Sequence, residues 1–144
     1  IEVSVLGLDE PRASVPGEIV PEGDFYDYAA KYGGGQSRLL VPAPLPADLK
    51  KRIRATALDA FSALNCNAMA RVDFLLNPQT GEFFVSELNT IPGFTQISMY
   101  PKLWEASGVS CRDLISALID FAFESEERKK SLKTEYPGGG AISP

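Results

Sequence analysis

A chain of 144 residues has the length of one domain, and 44% apolar with 23% charged residues is enough to build a core, which excludes wholesale disorder. The 19 acidic residues outnumber the 14 basic ones, and the net charge of −5 argues against a nucleic-acid partner, because phosphate contacts need an excess of Lys and Arg. The sequence contains no histidine, which excludes a Ser-His-Asp triad, a Cys-His dyad and an HExxH zinc site.

The cysteines and the apolar runs indicate the cellular compartment and whether the chain could cross a membrane. Cys66 and Cys111 are too few and too far apart for a thiolate metal site, so we expect two core or near-surface thiols in a reducing, cytoplasmic compartment. The longest apolar run, residues 115–123, is interrupted by Asp120 and is too short to cross a bilayer, so no membrane partner is expected. A strand-like segment opens the chain without an initiator Met, and we expect residue 1 to lie within a longer natural chain.

The first part of the chain predicts short strands on either side of a long loop. Alternation of apolar and polar residues predicts strands at 1–8 and 17–21. Residues 22–37 are polar, aromatic and Gly-rich, which is typical of a mobile loop, and a brief strand is expected at 39–41. A helix is expected from Pro46 to about Leu64. Its predicted apolar face consists of Leu49, Ile53, Ala57, Phe61 and Leu64.

The second part predicts a hairpin and two further helices. Strands at 69–76 and 82–88 are joined by a turn of the residues 77–81. An irregular stretch then leads to a short helix between residues 98 and 106.

The last predicted helix starts with a capping box made by Ser110 and Asp113. Its predicted buried stripe consists of Leu114, Ile115, Leu118, Ile119 and Ala122. Residues 136–144 are rich in Pro and Gly and predict a flexible tail, which leaves residues 1–135 as one folded unit.

The hairpin carries the polar residues that could do chemistry. Alternation puts Arg71 and Asp73 on one face of the first strand and Val85, Glu87 and Asn89 on one face of the second. With a five-residue turn, Asp73 lies opposite Val85 and Arg71 opposite Glu87, so the two carboxylates are diagonal neighbours roughly 7–8 Å apart. Two carboxylates and an amide oxygen without His or Cys suit Mg²⁺ rather than zinc.

A plain solvated hairpin with an Arg71–Glu87 ion pair on its surface would explain the same residues. The stretch 89–95 favours a ligand site instead, because it leaves the strand with Pro and Gly at positions where backbone amides can face a ligand.

Four ordered blocks of the sequence, at 25–32, 69–74, 87–95 and 98–104, closely resemble the C-terminal part of the D-alanine–D-alanine ligases. The resemblance extends from residue 1 to about residue 125. It implies an α+β ATP-grasp C-terminal lobe, with a mainly antiparallel sheet and flanking helices. It also implies that the N-terminal substrate domain and the central subdomain of the family lie outside this chain.

The resemblance assigns roles to the hairpin and to the loop after it. Asp73, Glu87 and Asn89 match the ligands of Mg²⁺ (or Mn²⁺), in agreement with the alternation of the strands. Arg71 and Gly93 match the residues that stabilise the oxyanion formed during the attack of the second D-alanine.

Further roles fall outside the hairpin. Ser98 and the backbone of Met99 match the site that holds the carboxylate of the second D-alanine. Lys31 matches a lysine of the closing loop that contacts the ATP phosphates, Tyr32 the tyrosine that closes this loop, and Phe25 an aromatic residue of the adenine pocket. Lys31 and Tyr32 as ordinary loop residues, and Phe25 as a core residue, are the alternatives.

The chain also departs from the family pattern. Ala29 stands where a Glu is usual, Ala68 where a Gly is usual, and Ser86 where a larger or amide residue is common. The glutamate that grips the ATP ribose in the family would lie just before Ile1.

The implied reaction is the ATP-dependent joining of two D-alanines through an acyl phosphate, for peptidoglycan synthesis, by an enzyme that is a homodimer at full length. The alternatives are a ligase that takes D-lactate or D-serine as acceptor, another ATP-grasp carboxylate–amine ligase, and a non-catalytic module that binds nucleotide or a partner chain. Tyr32 favours an amine acceptor. The isolated chain is expected to be inactive as a ligase, because catalysis by positioning needs both lobes.

Overall fold

A computed structural model of the chain describes residues 1–21 and 38–132. Its strands are β1 (Glu2–Gly7), β2 (Arg12–Ala13), β3 (Glu18–Val20), β4 (Arg38–Leu40), β5 (Ala68–Leu76) and β6 (Phe83–Asn89), and its helices are α1 (Ala47–Ala63), α2 (Met99–Ala106) and α3 (Cys111–Ser131). Four strands form an antiparallel sheet in the order β2-β1-β5-β6, and β3 pairs with β4 in a second antiparallel sheet. The predicted α+β class is confirmed.

One face of the four-stranded sheet packs against α1. Alternate residues of β1 and β5 meet the apolar side of the helix, and burial of such side chains is the main source of stability for this layer. The fully buried members of this core are Val3, Val5, Ala70, Val72, Ile53, Ala57 and Phe61.

The opposite face of the sheet is apolar at one end and polar at the other. At the end of β1 it is apolar, where Leu6 packs against Tyr100 and Trp104 of α2 and Leu114 of α3. Tyr100 also donates its hydroxyl hydrogen bond to the carbonyl of Val5 at 3.0 Å. Because side chains alternate between faces, the same side of the sheet carries the polar residues described below at its other end.

The helices confirm most of the sequence prediction and correct two details. Leu64 was predicted to lie on the apolar face of α1, but the helix ends at Ala63 and Leu64 is 65% exposed. The chain turns away there, since Asn65 has a φ of 51°, in the left-handed region. The helix was predicted to start at Pro46 and starts one residue later, at Ala47, with Pro46 as the N-cap whose carbonyl accepts the Lys50 N–H at 3.0 Å.

Helix α3 begins as predicted, with the Ser110 side chain accepting the Asp113 backbone N–H at 3.1 Å. The predicted buried stripe is partly wrong. Leu114 is buried, but Ile115 and Ile119 are 44% and 51% exposed, and Ala122 is exposed as well. The side that packs against α2 and β1 includes Ala117 and Phe121 instead of Ile115, Ile119 and Ala122. It consists of Leu114, Ala117, Leu118 and Phe121.

Several predictions fall outside the described residues. These are the closing loop at 22–37, with Phe25, Lys31 and Tyr32, and the tail at 136–144. The two-residue strand β2 was not predicted, because so short a pairing leaves no periodic signal. None of the helices within the described ranges is both long and apolar enough to cross a membrane.

Candidate functional site

The hairpin loop sets the position of the site residues. The first ladder pair is Leu76 with Phe83, and Asn77 donates its backbone N–H to the carbonyl of Glu82 at 2.8 Å. The Asn77 side chain also accepts the N–H groups of Gln79 and Thr80, which is typical of an Asx turn. The loop therefore spans six residues, one more than predicted.

A β-bulge then shifts the register within the hairpin. Phe74 pairs with Val85, but Asp73 pairs with Glu87, so Ser86 is the extra residue. The predicted pairing of Asp73 with Val85 is wrong. The longer loop and the bulge each move the second strand by one residue, so the partner of Asp73 is two residues further along, at Glu87. Val85 consequently leaves the face that it was predicted to share with Glu87.

The two shifts together keep the carboxylates on one face and bring them closer than predicted. Asp73 and Glu87 are direct cross-strand neighbours instead of diagonal ones. Arg71 pairs with Asn89, not with Glu87 as predicted. The four residues named here still share one side of the sheet, as the alternation of the strands required.

Arg71 lies at the centre of this polar group. Its Nε and Nη2 atoms donate to the two carboxylate oxygens of Asp73, both at 2.7 Å. The Nε atom is also 3.3 Å from Oε2 of Glu2, and Nη2 is 3.9 Å from Oε1 of Glu87. Because β1 pairs with β5 so that Glu2 lies beside Asp73, three carboxylates form a row across β1, β5 and β6.

Most of this charge is shielded from water. The side chains of Arg71, Asp73 and Glu2 are 17%, 16% and 10% exposed, whereas that of Glu87 is 60% exposed. The hydrogen bonds to Asp73 hold the pKa of Arg71 above its usual value, and the charges of Glu2 and Glu87 act in the same direction. Arg71 thus faces three carboxylates, and a divalent cation could share this concentration of negative charge.

The chemistry of the donor set fits a hard cation. Asp73 and Glu87 offer carboxylate oxygens, and the side-chain oxygen of Asn89 is held in place by the Ile91 backbone N–H at 3.0 Å. Across residues 1–21 and 38–132, however, no group of three or more His, Cys, Asp or Glu side chains is arranged to hold a metal ion. Both oxygens of Asp73 also accept hydrogen bonds from Arg71, and the magnesium assignment stays a prediction.

The loop after β6 brings Gly93 and Ser98 together. Both residues were predicted to belong to the site. The Ser98 hydroxyl oxygen accepts the Thr95 backbone N–H at 3.0 Å and lies 2.8 Å from the Thr95 hydroxyl. A Cβ added to Gly93 would lie 2.9 Å from that Ser98 oxygen, so only glycine fits without moving it. Ser98 directly precedes α2 but does not cap it with its side chain.

Helix α2 is fixed beside the carboxylate row through β1. The Ser4 hydroxyl donates to the carbonyl of Tyr100 at 3.2 Å, and Ser4 pairs with Arg71 across the sheet. Met99 is buried against Gly17, where an added Cβ would lie 2.5 Å from the Met99 methyl carbon. Gly17 in turn exchanges both backbone hydrogen bonds with Glu2, each at 2.9 Å. The start of α2 therefore lies next to the polar end of the sheet.

Glu2 and Ser4 were not identified from the sequence. The available signal was their alternation with Val3 and Val5, which puts two polar side chains on one face of a strand that is otherwise apolar. This face could be connected to Arg71 only once the pairing of β1 with β5 was known.

The fold and the site together define the class as the C-terminal lobe of an ATP-grasp protein. The family model described as D-ala D-ala ligase C-terminus matches residues 1–120. The chain therefore belongs to the D-alanine–D-alanine ligase family.

Named relatives agree with this family. The chain is 55% identical over 130 residues to the D-alanine–D-alanine ligase of Thermoanaerobacter sp. (strain X514), covering 90% of this chain and 36% of that protein. The solved D-alanine-D-alanine ligase of Coxiella burnetii is 40% identical with a TM-score of 0.77, over 90% of this chain and 33% of that one. The chain thus spans about a third of the length of the relatives it matches.

Two further solved structures bear on ligands. The VanG D-Ala:D-Ser ligase of Enterococcus faecalis is 37% identical with a TM-score of 0.73, over 83% of this chain and 35% of that one. A D-alanine–D-alanine ligase of Bacillus anthracis complexed with ATP is 30% identical with a TM-score of 0.65, over 89% of this chain and 41% of that one.

Proposed function

We propose that this chain is the C-terminal half of the active site of an ATP-dependent D-alanine–D-alanine ligase. The observation that carries the proposal is the group formed by Arg71, Asp73 and Glu87 on one face of the sheet, beside the loop that holds Gly93 against Ser98. Phosphoryl transfer needs alignment and charge neutralisation more than a protein nucleophile, so a site without histidine is sufficient.

In this proposal Asp73, Glu87 and Asn89 hold Mg²⁺ or Mn²⁺. A cation held by these residues would supply the charge neutralisation that transfer between phosphate oxygens needs. Support comes from the donor set, since all three side chains lie on one side of the hairpin and offer only oxygen ligands. To take part, Asp73 must offer the cation an oxygen that also accepts a hydrogen bond from Arg71.

The reaction proceeds in two transfers. The γ-phosphoryl group of ATP passes to the carboxylate of the first D-alanine, giving ADP and an acyl phosphate. The amine of the second D-alanine then attacks the acyl carbon and loses a proton, and the carbon–oxygen bond to phosphate breaks. The Arg71 guanidinium and the Gly93 backbone N–H stabilise the oxyanion between these events, because fixed donors aimed at developing charge lower the barrier.

Ser98 and the first N–H groups of α2, starting with Met99, hold the carboxylate of the second D-alanine. The first N–H groups of a helix have no partner within the helix, and they favour a bound anion. Lys31 and Phe25 would contact ATP and Tyr32 would close the site over the acceptor. These three assignments rest on the family resemblance alone.

A second acceptor has a specific observation in its favour. The solved D-Ala:D-Ser ligase is 37% identical to this chain, close to the 40% of the D-alanine–D-alanine ligase of Coxiella burnetii. D-serine therefore belongs in the same assay as D-alanine, with D-lactate as the test of an ester-forming acceptor. Faster turnover with D-serine than with D-alanine would reassign the acceptor and leave the rest of the mechanism intact.

The principal test is release of phosphate from ATP by the full-length protein in the presence of D-alanine and Mg²⁺. Glu87→Gln should raise the Mg²⁺ concentration needed for half-maximal activity and lower kcat by about 10²-fold, since it replaces a charged metal ligand by a neutral amide. Glu82→Gln, an exposed residue of the same hairpin, is the matched control and should leave both unchanged. Equal behaviour of the two variants would refute the metal assignment.

The isolated chain should bind Mg-ATP weakly and release no phosphate that depends on D-alanine, because the residues for the first D-alanine lie elsewhere. Turnover of the 144-residue chain equal to that of the full-length protein would show that the site is self-contained. ATP binding without any ligation by the full-length protein would favour a nucleotide-binding module. We also propose a cytoplasmic homodimer for the full-length enzyme, which light scattering and cell fractionation would test.

A further inference from the structure

Glu2 occupies a special place in the carboxylate row. It lies on β1, on one side of Asp73, whereas the proposed metal ligands Glu87 and Asn89 lie on β6, on the other side. Its side chain is 10% exposed, and its backbone is fixed by two hydrogen bonds of 2.9 Å to Gly17. Glu2 can therefore reach Arg71 from the edge opposite to the metal ligands.

Arg71 and a cation make competing demands on Asp73. Both oxygens of Asp73 accept hydrogen bonds from Arg71 at 2.7 Å, so a cation coordinated by Asp73 shares an oxygen with Arg71 and weakens that hydrogen bond. The cation also repels the guanidinium, so Arg71 needs another anion in order to stay on the face where the oxyanion forms. Glu2 already lies 3.3 Å from Nε of Arg71.

We propose that Glu2 is a positioning residue that takes the Arg71 guanidinium when Asp73 coordinates the divalent cation. Glu2 thereby frees Asp73 for the metal and keeps Arg71 beside the acyl phosphate. The inference rests on the proposed function, but it concerns a residue that acts through Arg71 and contacts neither metal nor substrate.

The test is Mn²⁺ binding to the full-length protein, measured by electron paramagnetic resonance without turnover. Glu2→Gln should weaken Mn²⁺ binding about tenfold, the size typical of losing a residue that orients a metal ligand. Glu2→Asp keeps the charge but shortens the side chain, so it should also weaken binding. If only the overall charge matters, Glu2→Asp binds Mn²⁺ as the unmodified protein does, and the proposal is overturned.

A double-mutant cycle separates an effect through Arg71 from direct coordination. In an Arg71→Met background no guanidinium competes for Asp73, so Glu2→Gln should change Mn²⁺ affinity by less than about twofold. The same tenfold loss in both backgrounds would make Glu2 a ligand itself and overturn the proposal. Unchanged affinity in Glu2→Gln alone would overturn it as well. Glu82→Gln, which removes an exposed carboxylate from the loop of the hairpin, serves as the control.

Turnover gives a second readout and distinguishes this inference from the proposed function. Glu2→Gln should lower kcat at saturating Mg²⁺, because Arg71 is misplaced, while the KM for ATP changes little. A full-length protein that binds Mn²⁺ but forms no dipeptide refutes the proposed function. A protein that ligates D-alanine and is indifferent to Glu2→Gln in both kcat and Mn²⁺ binding refutes only the role of Glu2.

Discussion

Replacing Arg71 by Met should destabilise the fold strongly, because it removes the guanidinium that both Asp73 and Glu2 contact. The side chains of Arg71, Asp73 and Glu2 are at most 17% exposed, so solvent screens them poorly. Breaking a buried pair costs roughly 3–5 kcal/mol, and the residual exposure places this site at the lower end, about 3 kcal/mol. Asp73→Asn should cost less, about 1.5 kcal/mol, because Arg71 keeps Glu2 at 3.3 Å.

The double variant tests whether this reasoning is right. With both Arg71 and Asp73 replaced, the loss should be smaller than the sum of the single losses by about 1.5 kcal/mol, as expected for residues in one network. Urea unfolding can be followed by the fluorescence of Trp104, which is the one tryptophan of the sequence and is 3% exposed. At a slope of about 2 kcal/mol per molar urea, Arg71→Met lowers the midpoint by about 1.5 M.

Arg112→Met, at an exposed position of α3, is the matched control and should stay within about 0.5 kcal/mol of the unmodified chain. Single losses at Arg71 and Asp73 that add up in the double variant to within about 0.5 kcal/mol would refute the coupling. The bidentate contact would then be a surface pair of little energetic weight.

Ala68→Gly should raise the free energy of unfolding by about 0.5–1 kcal/mol in the same urea experiment, because Ala68 has a φ of 64° and an L-residue in that region costs about 1–2 kcal/mol. Gly93→Ala should raise the KM of the full-length enzyme for the second D-alanine about tenfold, since its Cβ would displace the Ser98 hydroxyl. Burial raises the pKa of the Cys66 thiol, so Cys66 should react with iodoacetamide at pH 8 more slowly than the exposed Cys111, and its rate should increase as the pH rises.

Each of these expectations can fail clearly. A less stable Ala68→Gly variant would show that the local backbone carries no strain. An unchanged KM in Gly93→Ala would remove Ser98 from the acceptor site. Equal labelling rates of the two cysteines by mass spectrometry would show that Cys66 is open to solvent.

The hairpin illustrates what local pattern can and cannot predict. Alternation correctly placed Arg71, Asp73, Glu87 and Asn89 on one face, although the loop was predicted one residue too short and the bulge at Ser86 was not predicted at all. The two errors cancel because the side-chain period of a strand is two residues. A bulge leaves little trace in a single sequence, so the direct pairing of the carboxylates required the structure.

Contacts between residues distant in sequence could not be predicted either, because a single sequence does not show which strands pair. Nothing in residues 1–8 specifies that β1 pairs with β5, and so the third carboxylate of the row, Glu2, could not be recognised. In α3 the apolar residues were too numerous to choose one stripe, and tertiary packing selected Phe121 over Ile115 and Ile119. The family resemblance supplied roles that no periodicity could have given.

The bulge at Ser86 also links the pairing of Asp73 with Glu87 to the packing of the apolar face of the sheet. If the bulge closed, β6 would slide by one residue and Glu87 would lie opposite Val72, which is fully buried in the layer under α1. Glu87 would take the place of Leu88, a partly buried residue of that layer, and a carboxylate there disfavours the slipped hairpin. Apolar packing on one face of the sheet therefore favours the strand register that places Asp73 and Glu87 side by side on the other face.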